Sequence, residues 1–133
     1  MTATSSSTAR LHAALRACAR GICPDEAGVE LLIGHAAFLH RGDFTSRFIG
    51  HATHITGTRL AAIDWTAAIT ALNGRDLPCS GGEERMLRLA ASLADGIPVS
   101  LRHTLTGIDH RNTKLLITAV LHASGQRPEP EIP

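Results

Sequence analysis

The chain has 133 residues, within the range of one domain, and its 44% hydrophobic and 19% charged residues supply one core and not two. Its formal net charge of +1 makes the long-range field weak, so strong non-specific attraction to nucleic acid or acidic membranes is not expected. Aromatic residues are only 3% of the chain, with no Tyr, a composition that favours close-packed helices over sheets and removes most stacking platforms for single-stranded nucleic acid.

Residues 1–7 are small and polar, and residues 126–133 alternate Pro with charge, so both ends read as flexible tails around a single helical domain at 8–125. Leu11, Ala14, Leu15, Cys18 and Ile22 recur at helical spacing, with Pro24 as the separator from the next element. A second helix is expected from Asp25, whose acid beside Glu26 suits the positive end of the helix dipole, with a stripe of Val29, Leu32, Ile33, Ala36, Ala37 and His40. Arg41-Gly42 closes it, and Asp43 is expected to cap a shorter helix carrying Phe44, Phe48 and Ile49.

His51 to Arg59 reads as a loop or extended connection between glycines. Asp64 is a good cap for a helix with Trp65, Ala68, Ile69 and Leu72 on one face, ended by Asn73-Gly74. A helix over 81–94 follows Pro78, with Asp95-Gly96-Ile97-Pro98 as its stop; Ser100 caps a short helix through Leu105, and Asp109 caps a last one ending at Gly125. The expected fold is therefore all-α, a compact bundle of five or six short helices.

Cys18, Cys23 and Cys79 are an odd number without CxxC spacing, which indicates neither a disulfide framework nor a zinc knuckle and fits a reducing cytoplasm. No basic flank with an apolar run marks a signal peptide, and no segment reaches the ~20 apolar residues of a membrane span, so no membrane partner is expected. Lys114 is the single lysine against twelve Arg, a bias that reads as a GC-rich bacterial genome.

Leu77-Pro78-Cys79-Ser80-Gly81-Gly82-Glu83-Glu84-Arg85 leads a turn into a helix. The run resembles the signature loop of ABC-type ATPases, in which Ser-Gly-Gly opens a helix; the resemblance implies an anion contact at Ser80, Gly81 and Gly82. It extends only over residues 77–90. No GxxxxGK[ST] precedes it, and no apolar strand ending in Asp-Glu lies between Ala94 and Asp109, so both catalytic halves of such an ATPase are missing and hydrolysis by this chain alone is not expected. Local chemistry offers a second account of the same residues: Ser80 accepts from the Glu83 amide and Glu83 reaches back to the Ser80 amide, a capping box.

Eight His include His51-x-x-His54, with His35 and His40 nearby, but two-His spacing specifies too little for a metal and HExxH is absent, so neither metal nor cofactor is expected. Cys23 and Cys79 lie near helix starts, where a dipole can lower a thiol pKa, yet no local signature of nucleophilic catalysis surrounds them, and a His/Cys-based enzyme or metal-binding protein ranks third among the readings. The leading expectation is a small interaction or regulatory module that binds a protein partner or itself, through the 80–95 helix and the adjoining 100–114 segment. The alternative is a sequence-specific DNA-binding regulator with a degenerate helix-turn-helix near 81–106, in which Arg85, Arg88, Arg102, Arg111 and Lys114 would contact phosphates or a partner.

Overall fold

The computed structural model describes residues 2–126, with side chains from Ser7 onward. Among them are seven α-helices: α1 Thr2–Ala19, α2 Cys23–His35, α3 Gly42–Phe48, α4 Trp65–Asn73, α5 Gly81–Asp95, α6 Leu101–Leu105 and α7 His110–Ala123. A 3-10 turn, Phe38–His40, precedes α3. Strands β1 Ile49–Thr53 and β2 Arg59–Ile63 form an antiparallel hairpin between α3 and α4. The fold is mostly helical but not all-α, and it has seven helices where five or six were expected. α1 takes in residues 2–7, whose composition reads as a tail; of the C-terminal tail, 127–133 lie outside the described residues.

The hairpin replaces the expected loop for a reason visible in its residues. Ile49 pairs with Ile63 and His51 with Ala61, and Ile49, Ala61 and Ile63 are buried on the same face. The turn is closed by the His54 amide on the Thr58 carbonyl (2.7 Å) and the Gly57 amide on the His54 carbonyl (2.8 Å), with Gly57 at φ +92°, a backbone conformation that favours glycine. A two-stranded ribbon has too little core to stand alone, and β2 lies along α1, which supplies it.

Helix ends follow local chemistry closely. Asp64, Ser80, Ser100 and Asp109 each accept a hydrogen bond from the amide three residues on, and α4, α5, α6 and α7 begin at the next residue in each case. Two starts differ from expectation. α2 opens at Cys23, with Pro24 inside its first turn where a missing amide costs nothing, so Pro24 initiates the helix and does not separate it. Asp43 is not the cap of α3: Arg41 holds that position, and its guanidinium takes the Asp43 carboxylate.

α2 is the centre of the bundle. Its Gly28 meets Ala90 and Ala94 of α5, its Gly34 meets Leu115 of α7, and its Glu26 meets His122 near the end of α7, so α7 runs antiparallel to it. Phe38, Phe44 and Phe48 form a run of tilted rings with centroids 5.2 and 5.3 Å apart, and Phe38 and Phe44 are fully buried. Burial of such rings contributes about 25 cal/mol for each Å² of apolar surface removed from water. At the periphery the expected stripes break down: Cys18, Ile22 and His40 are exposed.

Candidate functional site

The Ser80–Glu83 segment is closed on itself. The Ser80 hydroxyl accepts from the Glu83 amide (3.2 Å), and Glu83 Oε1 accepts from the Ser80 amide (2.8 Å), which completes the capping box. These bonds occupy two of the donors an anion would use. Gly82 faces open space, whereas a Cβ at Gly81 would sit 3.2 Å from Nη1 of Arg85.

Three of the five basic candidates are engaged inside the molecule. The Arg85 guanidinium lies against Gly107 in the turn between α6 and α7, so closely that a Cβ there would displace it, with Nη1 3.5 Å from the Gly107 carbonyl oxygen. Arg88 donates from Nε to Glu84 (3.0 Å) and from Nη2 to Oδ1 of Asn73 (2.8 Å), which ties the end of α4 to α5. Arg111 donates from Nη2 to the Gly34 carbonyl (2.9 Å) and so satisfies an acceptor in the last turn of α2. Only Arg102 and Lys114 stand exposed without such a contact among the described residues. The five do not form one free basic face. In the would-be reading helix α6, Arg102 and His103 are exposed while Thr104 is buried and back-bonded to the Ser100 carbonyl (2.7 Å).

Around the end of α2, Glu83, Asp109 and Arg111 lie near His35. Burial pushes the His35 imidazole below its ordinary value, with Arg111 adding to the effect and the two carboxylates opposing it; its Nδ1 is buried without a partner among the described residues. Burial also raises the Cys79 thiol, with Glu84 and Glu83 acting in the same direction, which is the reverse of an activated nucleophile. All three cysteines are free thiols. His54 is turned to its own loop, with Nδ1 2.8 Å from the Thr56 hydroxyl, and among the described residues no group of three His, Cys, Asp or Glu could hold a metal.

Two apolar pairs, one on α6 and one on α7, are exposed. Leu101 (58%) and Leu105 (43%) share a face of α6 at i,i+4, and Ile117 (56%) and Val120 (50%) lie at i,i+3 on α7. On α7 the buried set is Asn112, Leu116 and Ala119, and the exposed pair lies on the adjacent flank between Thr113 and Ser124. Helical period alone does not say where an apolar arc stops being covered, so the spacing of these residues does not mark them as exposed. Arg10 and Arg59, absent from the sequence candidates, are exposed and engaged with no partner among the described residues; no local spacing relates them.

No protein-family model matches this chain, and neither a curated protein nor a solved structure matches it.

Proposed function

We propose that this chain is a small helical interaction module that binds a protein partner or a second copy of itself through α6 and α7. The observation that carries the reading is the exposure of Leu101, Leu105, Ile117 and Val120 on two consecutive helices. Full burial of a large aliphatic side chain brings about 1.5–3 kcal/mol, and these four, 43–58% exposed, forgo roughly half of that, part of which a helix face covering them recovers. The DNA-binding alternative has less support, because Arg85, Arg88 and Arg111 are engaged within the chain.

Sedimentation across a concentration series tests the reading. Self-association should appear in the wild type and be lost in an Ile117→Asp/Val120→Asp double variant whose helical signal is unchanged. If the wild type is monomeric, a protein retained by it should be released by the same variant. A monomer throughout, with nothing retained that the variant releases, would remove the proposal.

A further inference from the structure

Beside α1 the hairpin makes a groove at the opposite end of the chain's topology from α6 and α7. The hairpin face that carries Ile49, Ala61 and Ile63 into the core continues outward, by the period of two, through His51, Thr53 and Arg59. α1 answers it with Ser7, Arg10, Leu11 and Ala14, which fall at i, i+3, i+4 and i+7 on one helical face. Between them is a groove of about 240 Å³ lined by Ser7, Arg10, Leu11, Ala14, His51 and Arg59. A second hollow shares His51 and Arg59 and extends along the strands to Ala52, Thr53 and Leu60.

Among the described residues the charge there has no carboxylate partner. Arg16, Arg41, Arg47 and Arg88 each pair with a carboxylate, at Glu30, Asp43, Asp76 and Glu84. No carboxylate lines the groove, and neither Arg10 nor Arg59 has a hydrogen-bond or ionic partner among the described residues. Arg10 and Arg59, forty-nine positions apart in sequence, line one groove, and an anion bound between two guanidinium groups is attracted by both. Guanidinium presents a planar fork of donors matched to phosphate oxygens.

We propose that this groove binds a phosphate group, held by Arg10 and Arg59 with His51 beside them. Leu11 and Ala14 give it an apolar wall on the α1 side. The continuation past Arg59 leaves room for what the phosphate is attached to, either a small phosphorylated molecule or a nucleic-acid strand. The site is independent of the α6–α7 surface and stands or falls without it.

Titration of the full chain with inorganic phosphate, a 5′-mononucleotide and a short oligonucleotide, at constant ionic strength with chloride as the reference, tests the assignment by amide chemical shifts. Saturable shifts at Arg10, His51 and Arg59 are expected. Arg10→Gln and Arg59→Gln should each weaken binding by on the order of tenfold, the loss of one charge-assisted contact. Arg20→Gln removes equal charge at an exposed position outside the groove and should leave it unchanged. Preference for the mononucleotide identifies a small ligand; preference for the oligonucleotide, with affinity falling as salt rises, identifies a strand. No saturable response to any probe, or equal loss in Arg20→Gln, would overturn the proposal.

Discussion

Gly28 of α2 lies directly against Ala94 of α5: a Cβ at position 28 would stand 2.5 Å from the Ala94 Cβ and 2.8 Å from the Ala90 carbonyl oxygen. Both are below any ordinary contact, and one of the two obstacles is backbone, which cannot swing aside. Hydrogen replaces a methyl here so that the two central helices can close. Gly28→Ala should therefore destabilise the fold by about 1–3 kcal/mol through overpacking, against the small gain that Ala brings within a helix. Urea unfolding at neutral pH measures it; an unchanged midpoint would mean that α2 and α5 are not in contact at this point.

The first turn of α5 separates architecture from ligand binding. Removing the Ser80 hydroxyl in Ser80→Ala should cost about 1 kcal/mol, since the Glu83 amide loses its acceptor, while Ser80→Asp should keep most of the stability. Gly82 meets nothing within 4 Å, so Gly82→Ala should stabilise by about 0.4–1 kcal/mol through reduced freedom of the unfolded chain. Thermal unfolding of the three variants gives the signs. Destabilisation by Gly82→Ala would show that a close backbone approach, and not a cap, governs the segment.

Acid should weaken the fold through its part-buried imidazoles. Burial lowers His35, where Arg111 also lowers it and Glu83 and Asp109 oppose; burial lowers His12 as well, with Arg16 and His40 in the same direction and Glu30 opposing. Below the ordinary value of 6.5 the unfolded chain binds protons that the folded chain resists, so stability is full above 6.5 and falls as pH drops toward the lowered folded values. Unfolding midpoints measured between pH 7.5 and 5, in the range where histidine titrates, should decline, and a His12→Gln/His35→Gln chain should show a flatter decline. An equal slope in both proteins would assign the effect to other groups.

The four capped helices were legible because a cap is a local event: Asp64, Ser80, Ser100 and Asp109 each reach an amide only three residues away. The hairpin was not. Its signal is two five-residue runs around Gly57, and what turns them into strands is the packing of β2 against α1, tens of residues distant in sequence. Ile49, Ala61 and Ile63 at alternate positions were the available trace of it. The basic residues show the same divide, since the i,i+4 pairing of Arg88 with Glu84 can be read from spacing, whereas the contact of Arg111 with the Gly34 carbonyl spans 77 positions.

Helix content, the boundaries of α4 to α7 and the Ser80–Glu83 cap were determined by the chain itself, because propensity and capping act within one turn. Tertiary structure decided which arginines are engaged, which apolar arcs on α6 and α7 stay in water, and that Arg10 and Arg59 face one groove. Each of those depends on how close two distant segments come, and that distance is set by packing around α2, down to the missing methyl of Gly28.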